Sequence, residues 1–263
     1  MVKYIIFIDS DGTLKNDNGE ITQRTKKIIK KFIDNGNYIV LCTGRPRYHA
    51  DIISEEIGAN EYYISSNGAE IFNNKEKKII NIIPIIKDDC INLYKYAIKY
   101  DIKFVAVTEN EEYVTKEIKN SNQNIIPNDI KKFFENHIIK QILLISKDSN
   151  KIKLVEKEFI ANSKTINILN KLINNKESWI SVGNSIASKG YALEKLAAYL
   201  EIDKNHTIAI GNDYNDITMF GVAGKSVAMG NADIEIKEKA DIVIDSNNDE
   251  GVAKFLEKFY KDL

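Results

Sequence analysis

Two acidic residues, Asp9 and Asp11, stand two positions apart directly after an apolar run at residues 3–8. That run is typical of a buried strand, and side chains two residues apart in a strand point to the same side. The two carboxylates can therefore converge on one spot, where a cation or a shared proton must relieve their repulsion. Mg²⁺ is the natural cation for a site built from oxygen ligands. The alternative is an ordinary acidic turn, completed by Gly12.

A hydroxyl and a glycine, Thr43 and Gly44, follow the next apolar run, at residues 37–42. This pair suits the binding of a phosphoryl oxygen by the threonine hydroxyl and nearby main-chain N–H groups. The alternative is that Thr43 caps the helix that is predicted to begin near Pro46.

Polar residues also cluster after a later apolar run, at residues 206–211. They are two carboxylates and two amides, at Asn212, Asp213, Asn215 and Asp216. A parallel sheet brings the carboxyl ends of its strands to one edge, where ligands usually bind. We therefore expect a second set of oxygen ligands at the edge that holds the first acidic pair.

Lys189 stands at the start of a predicted helix, 189–202. A lysine at this end of a helix opposes the helix dipole, and an anionic partner would offset the unfavourable interaction. The alternative is an ordinary lysine in contact with solvent.

The order of the predicted elements indicates an α/β protein. Strands at 3–8, 37–42 and 62–65 alternate with helices at 22–35 and 46–57, which is the pattern of a parallel, doubly wound sheet. Residues 103–117 have the pattern of a hairpin, which does not belong inside such a repeat. The alternation returns at Lys189. We predict a Rossmann-like core at 1–81 and 183–263, interrupted by an inserted α+β cap domain at 82–182.

The composition argues against several classes of protein. The net charge is −1, so the basic excess of a nucleic-acid-binding protein is missing. No apolar run approaches the roughly 20 residues that span a bilayer, and the first residues lack the features of a signal peptide. The two cysteines form neither a disulfide framework nor a zinc motif. We expect a cytoplasmic protein that binds neither nucleic acid nor membrane.

The polar clusters, taken in chain order, resemble the four motifs of the haloacid dehalogenase superfamily of phosphohydrolases. The matching residues are Asp9-x-Asp11-Gly12-Thr13, Thr43-Gly44-Arg45, Lys189 and Gly211-x-x-x-Asn215-Asp216. Further stretches are similar to the Cof-type branch of that superfamily, namely 64–69, Ser188-Lys189-Gly190 and the closing SNNDEGVAKFLEKF. The resemblance covers essentially the whole chain, and the predicted insert lies where that branch carries a large α/β cap.

The resemblance implies a Mg²⁺-dependent phosphatase mechanism. Asp9 would be the nucleophile that forms an aspartyl-phosphate, and Asp11 would be the general acid and then the base. The implied phosphate-binding residues are Thr43, Gly44, Lys189 and Asn215. The candidate metal-site residues are Asp9, Asp11, Asn212, Asp213 and Asp216. The last of these would anchor Lys189 or a metal-bound water, and the cap would close over the substrate and select the leaving group.

Two positions depart from the family pattern. The family usually has an acid where this chain has Asn212, and here the acid comes next, as Asp213. Three hypotheses follow: the Asn212 amide oxygen binds Mg²⁺ with weaker affinity, Asp213 substitutes for it, or metal binding is impaired. Ser10 replaces a residue that is often apolar, and strand alternation predicts that it points away from Asp9 and Asp11 and affects packing.

The sequence thus predicts a Mg²⁺-dependent phosphatase for a small phosphate monoester, such as a sugar phosphate or a phosphorylated cofactor. A phosphomutase or phosphotransferase that uses the same nucleophile is one alternative. Another is a weakly active or non-catalytic protein that binds a phosphorylated ligand, which the Asn212 departure would favour.

Overall fold

The computed structural model describes residues 3–59, 61–115 and 124–261 of the chain. It divides into two compact units, the first made of Met1–Asn81 and Ser188–Leu263 and the second of Ile82–Ala187. The predicted insert ends at residue 182, whereas the second unit continues to Ala187, because its last strand runs on to Asn184.

The strands and helices of the described residues are numbered in chain order. The strands are β1 (Ile5–Ile8), β2 (Tyr38–Cys42), β3 (Tyr62–Ser65), β4 (Glu70–Asn73), β5 (Lys78–Ile82), β6 (Lys103–Val107), β7 (Glu112–Val114), β8 (Asn124–Ile125), β9 (Gln141–Ser146), β10 (Ile166–Leu172), β11 (Ser178–Asn184), β12 (Thr207–Gly211), β13 (Lys225–Ala228) and β14 (Ile242–Val243). The helices are α1 (Gln23–Asp34), α2 (Arg47–Glu56), α3 (Lys87–Lys99), α4 (Ile130–Asn136), α5 (Ser149–Val155), α6 (Lys189–Tyr199), α7 (Ile217–Phe220), α8 (Ile234–Lys237) and α9 (Gly251–Lys261).

The first unit is built on a mainly parallel sheet with the strand order β14-β13-β12-β1-β2-β3-β4-β5. The strands from β14 to β3 pair in parallel, and β4 pairs antiparallel with β3. Ile8 at the end of β1 lies opposite Leu41 of β2 and Ile210 of β12. The segments that follow these three strands therefore leave the sheet at one edge, as predicted.

Both faces of this sheet are covered by helices. Alternate residues of β1 enter different cores: Ile6 and Ile8 pack in one cluster with Phe32 of α1, while Phe7 packs in another with Leu193 of α6. Burial of apolar surface on both sides explains why β1 is apolar throughout. This topology, with its inserted second unit, confirms the predicted α/β fold class.

The second unit has its own sheet, with the order β10-β11-β9-β6-β7-β8. Its pairs are antiparallel apart from β7 with β8. The predicted hairpin corresponds to β6 and β7, and residues 116 and 117 of that prediction lie outside the described residues. Helices α3 and α4 were not predicted. In the part of the chain described, no helix combines the length and the apolar character needed to cross a membrane.

Candidate active site

Lys189 joins two carboxylates at the carboxyl edge of the parallel strands. Its ammonium group donates hydrogen bonds to Asp9 and to Asp216, with a distance of 2.6 Å from Nζ to Oδ1 in each case. The lysine begins α6, Asp9 follows β1 and Asp216 lies beyond β12, so three separate elements meet here. All three side chains are buried. Lys189 is therefore not a solvent-facing lysine, and its anionic partners in the structure are these two carboxylates.

The buried charges are unbalanced, since two carboxylates share one ammonium group. Burial raises the pKa of Asp9 to about 7, an effect that Lys189 opposes and Asp216 reinforces. Burial would lower the pKa of Lys189, but Asp216 and Asp9 outweigh this effect and raise it above the ordinary value. The lysine therefore stays charged, and a further cation beside Asp9 would stabilise its ionised form.

Asp11 lies at the rim of the site and has a different cationic partner. The guanidinium group of Arg45 binds both of its oxygens, with distances of 2.6 Å from Nε to Oδ2 and 2.8 Å from Nη2 to Oδ1. Partial burial acts to raise the pKa of Asp11, but Arg45 outweighs it and holds the pKa below the ordinary value. Asp9 and Asp11 therefore have distinct environments, as two carboxylates with different roles require.

The Thr43 hydroxyl is buried between main-chain and side-chain partners. It accepts a hydrogen bond from the main-chain N–H of Arg45 at 3.2 Å and lies 2.8 Å from the Ser10 hydroxyl. The alternative that Thr43 caps a helix is wrong, because α2 begins at Arg47 with Pro46 in the capping position. The predicted orientation of Ser10 is also wrong, since its hydroxyl lies 3.1 Å from Oδ2 of Asp11.

The loop after β12 is organised around the second oxygen of Asp216. Its Oδ2 accepts hydrogen bonds from the main-chain N–H groups of Asn212, at 2.8 Å, and Asp213, at 2.9 Å. The Asp213 carboxylate accepts from the N–H of Tyr214 at 2.8 Å and so caps the following turn. Asp216 thus anchors Lys189 and shapes the loop, and one oxygen of Asp213 is engaged in capping the turn that follows it.

Asn212 lies against the loop that carries the acidic pair. Its Oδ1 accepts a hydrogen bond from the Thr13 hydroxyl at 2.8 Å. A Cβ atom added to Gly12 would come within 2.6 Å of the Asn212 Nδ2 atom, so the Asn212 side chain lies directly against the backbone because residue 12 is a glycine. The side chain of Asn212 is therefore held beside the backbone between Asp11 and Thr13.

Asn215 belongs to a second amide contact, with Asn67. Its Nδ2 group donates to Oδ1 of Asn67 at 2.8 Å. Asn67 is buried in the turn after β3 and has a left-handed backbone, with a φ of 55°. Its N–H donates to the Thr43 carbonyl at 3.1 Å, and its side chain lies so close to Gly44 that a Cβ there would be 3.0 Å from it. The turn after β3 therefore connects the loop after β2 to Asn215 through hydrogen bonds of Asn67.

The residues at this edge suit Mg²⁺ in the chemistry of their donors and in charge. The surplus negative charge at Asp9 favours a cation, and the carboxylate of Asp9 and the amide of Asn212 could supply hard oxygen ligands of the kind that Mg²⁺ prefers. The main-chain carbonyl of Asp11 is the further ligand that the family resemblance implies. Within the described ranges, no three His, Cys, Asp or Glu side chains form a metal-binding group. A Mg²⁺ ion here would therefore depend on neutral oxygens and water as well as carboxylate.

Sequence reasoning did not assign a role to three residues of the site. Arg45 and Asn67 were noted within motifs only, and Ser10 was interpreted as a packing residue. Each of these residues lies in a loop just beyond the end of a strand. The direction of its side chain there depends on the loop conformation, which strand alternation and residue spacing do not predict. The one available signal was Ser10 itself, a polar residue where the family often has an apolar one.

Comparison with known proteins identifies the family of this chain. Residues 6–256 match a family described as haloacid dehalogenase-like hydrolases. The 5-amino-6-(5-phospho-D-ribitylamino)uracil phosphatase YcsE of Bacillus subtilis is 31% identical, with 95% of this chain and 93% of that protein covered. The protein YxeH of the same organism is 30% identical, with 95% of each chain covered. A haloacid dehalogenase-like hydrolase from Bacteroides thetaiotaomicron has the same fold, with a TM-score of 0.82, 24% identity, and coverage of 98% of this chain and 99% of that one.

The chain belongs to the haloacid dehalogenase-like hydrolase family. The family resemblance predicted from the four motifs is thereby confirmed, as is the prediction of a hydrolase.

Proposed function

We propose that this protein is a Mg²⁺-dependent phosphatase that hydrolyses small phosphate monoesters through an aspartyl-phosphate on Asp9. The observation that supports this most strongly is the buried Lys189, whose ammonium lies 2.6 Å from both Asp9 and Asp216. A buried lysine fixed beside a carboxylate at a sheet edge can hold the phosphoryl group of an ester in line with that carboxylate. A purely structural ion pair would not need the Thr43 hydroxyl and the Asp11 carboxylate nearby.

The reaction has two displacements. In the first, an oxygen of Asp9 attacks phosphorus, the bond between phosphorus and the ester oxygen breaks, and Asp11 gives a proton to the leaving alcohol. In the second, Asp11 takes a proton from water, the water oxygen attacks phosphorus, and the bond to Asp9 breaks to release inorganic phosphate. A general acid must carry a proton, so the ion pair between Asp11 and Arg45 has to open during the cycle.

Other residues hold the phosphoryl group. In this proposal Lys189 and the Thr43 hydroxyl bind its oxygens, together with main-chain N–H groups around Gly44. Asn215 supports the same group through an amide that Asn67 orients. These contacts strengthen as negative charge accumulates on the phosphoryl oxygens in the transition state.

A bound Mg²⁺ would neutralise negative charge on the phosphoryl group and on Asp9. The residues that would hold it are Asp9 and Asp11, the latter through its main-chain carbonyl, with Asn212 as the third. Both oxygens of Asp216 have partners and Asp213 caps a turn. The Asn212 amide oxygen accepts from the Thr13 hydroxyl and keeps a second lone pair for a metal, so it is the favoured ligand.

The relative YcsE is named for a substrate in which the phosphate ester sits on a ribityl chain. That name supports a sugar or polyol phosphate, free or attached to a heterocycle as in a phosphorylated cofactor, as the substrate class here. The second unit, Ile82–Ala187, is the candidate for selecting the leaving group. A cytoplasmic location remains a prediction from the sequence.

The test is phosphate release from a panel of phosphate monoesters, measured with Mg²⁺ and with EDTA. The panel should contain aldose phosphates, polyol phosphates with and without an attached heterocycle, and phosphorylated cofactors. Release that requires Mg²⁺ and ranks the polyol or sugar esters first is the expected result. A panel from which the protein releases no phosphate in Mg²⁺ would contradict the proposal.

A further inference from the structure

A chain of hydrogen bonds leads from the loop after β2 to the carboxylate of Asp11. The main-chain N–H of Arg45 donates to Oγ1 of Thr43 at 3.2 Å, Thr43 lies 2.8 Å from the Ser10 hydroxyl, and Ser10 lies 3.1 Å from Oδ2 of Asp11. Ser10 is completely buried, with 0% of its surface exposed. The chain therefore reaches Asp11 through a buried residue, and Oδ2 of Asp11 accepts from both the Ser10 hydroxyl and the Arg45 Nε group.

The direction of each hydrogen bond follows from the number of protons available. The ion-paired carboxylate of Asp11 can only accept, so the single proton of Ser10 is donated to it. Ser10 then accepts from Thr43 until a phosphoryl oxygen takes the Thr43 proton, and the Thr43 oxygen accepts from the N–H of Arg45. The donation from Ser10 to Asp11 is the same in both cases.

The two partners of Asp11 differ in how firmly they are placed. The side chains of Arg45 and Asp11 are 40% and 50% exposed, so their ion pair can open into solvent. Ser10, in contrast, is buried, and its backbone carbonyl accepts a hydrogen bond from the N–H of Lys15 at 2.9 Å. When the ion pair opens, Ser10 is the partner that remains.

We infer that Ser10 is a positioning residue, which holds the carboxyl group of Asp11 toward the leaving oxygen after Arg45 has released it. This inference rests on the proposed function, in which Asp11 protonates the leaving alcohol. Ser10 touches no reacting atom itself and acts only through Asp11. Its hydroxyl therefore matters most for esters whose leaving group needs a proton.

The experiment compares two esters in Mg²⁺. Glycerol phosphate has an alkoxide leaving group that must be protonated, whereas nitrophenolate leaves nitrophenyl phosphate without a proton. The parameter kcat/KM includes every step up to departure of the leaving group, so it reports the contribution of the acid even where a later step limits kcat. Ser10→Ala should lower kcat/KM for glycerol phosphate roughly ten- to a hundredfold, as part of the contribution of a general acid, and leave nitrophenyl phosphate nearly unchanged.

Two further variants separate the hydroxyl from the packing. The side chains introduced by Ser10→Thr and Ser10→Val have the same shape, but only threonine keeps a hydroxyl. Ser10→Thr should therefore retain most of the kcat/KM for glycerol phosphate, and Ser10→Val should lose it. Ser54→Ala is the matched control, because Ser54 is buried and its hydroxyl has no hydrogen-bond partner among the described residues. Ser54→Ala should leave kcat/KM for both esters unchanged.

Equal losses for the two esters would overturn the inference, because they would place the role of Ser10 in phosphate binding or packing. Equal kcat/KM values for glycerol phosphate in Ser10→Val and Ser10→Thr would overturn it as well. This comparison also tests the inference if Ser10→Ala does not fold. A wild-type protein that releases phosphate from no ester of the panel would overturn the proposed function, and the inference would fall with it. If glycerol phosphate alone is not hydrolysed, the preferred ester with an alcohol leaving group takes its place. Wild-type activity therefore separates the two failures.

Discussion

Lys189 is a charged side chain in a place where an unpaired charge would be highly unfavourable. It is 1% exposed, and its partners Asp9 and Asp216 are buried with it. Removing one member of a buried ion pair leaves the other charge without compensation, which is much more destabilising than the net contribution of the pair. The three side chains are therefore coupled in stability as well as in chemistry.

Lys189→Met should lower the free energy of unfolding by about 3–5 kcal/mol, because two buried carboxylates then face each other without a cation. Urea denaturation measures this loss of stability. EDTA is included so that no bound metal ion can replace the missing positive charge of the lysine. Lys195→Met is the control, since Lys195 lies on the same helix and is exposed, and its effect should stay within about 0.5 kcal/mol. Similar losses for the two variants would contradict the proposed coupling.

The exchanged residues Asn212 and Asp213 allow the metal ligand to be identified. Asn212→Asp should tighten Mg²⁺ binding on the order of tenfold, which is about 1.4 kcal/mol, since a carboxylate replaces a neutral oxygen. Asp213→Asn should leave Mg²⁺ binding unchanged, because asparagine caps a turn as well as aspartate does. Calorimetric titration with Mg²⁺ measures both constants without turnover. Weakened binding in Asp213→Asn, with no gain in Asn212→Asp, would assign the ligand to Asp213.

At the scale of elements, the turn Ser66–Gly68 fixes the distance between the loop after β2 and the start of α6. Gly68 has a φ of 94°, and a Cβ added to it would lie 2.0 Å from the carbonyl oxygen of Ser188. Ser188 is the N-cap of α6, the helix that begins with Lys189. The position of the lysine therefore depends on a close backbone contact that only glycine permits.

Gly68→Ala should be much more destabilising than Gly19→Ala. Both glycines have a positive φ, so each alanine is unfavourable by about 1–2 kcal/mol for its backbone alone. Gly19, with a φ of 80°, has no neighbouring atom within 4 Å of the added Cβ, whereas Gly68 meets a main-chain carbonyl. Thermal denaturation compares the two variants, and phosphate release should fall in Gly68→Ala alone. Equal losses of stability would show that the contact with Ser188 is easily relaxed.

The elements also explain which parts of the site the sequence could predict. Asp9, Thr43 and Asn212 follow neighbouring parallel strands, so their convergence on one edge follows from topology. Ser10 was misplaced because strand alternation was extended beyond β1, which ends at Ile8. The left-handed backbone of Asn67 is a property of its turn, and its amide contact with Asn215 could not be read from spacing.

At the scale of the whole molecule, each unit has its own hydrophobic core. The core of the second unit consists of residues between Ile85 and Val182, and it includes Phe104, Phe134 and Ile142. A segment that buries its own apolar side chains has the main requirement for folding independently. Helices α3 and α4 contribute to this core and were missing from the sequence-based prediction. The buried positions of α3 have helical spacing and could have indicated it, whereas α4, with 7 residues, is too short to show a clear period.

The isolated segment 82–187 should fold by itself and unfold cooperatively on heating, as measured by circular dichroism. Phe104→Ala in that segment should lower its stability by about 3–5 kcal/mol, because it leaves a cavity in the core. A segment that shows no cooperative transition would contradict the independence of this unit.

The role of Asp9 as the nucleophile can be tested by substituting this residue and by trapping its acyl phosphate. Phosphate release from a preferred ester in Mg²⁺ should be abolished in Asp9→Asn and unchanged in Asp34→Asn, a control at an exposed carboxylate. Borohydride added during turnover should reduce the acyl phosphate in the wild type, and mass spectrometry should locate the modified residue at position 9. An Asp9→Asn variant that still turns over, or a wild type in which the trapped residue lies elsewhere, would contradict the account.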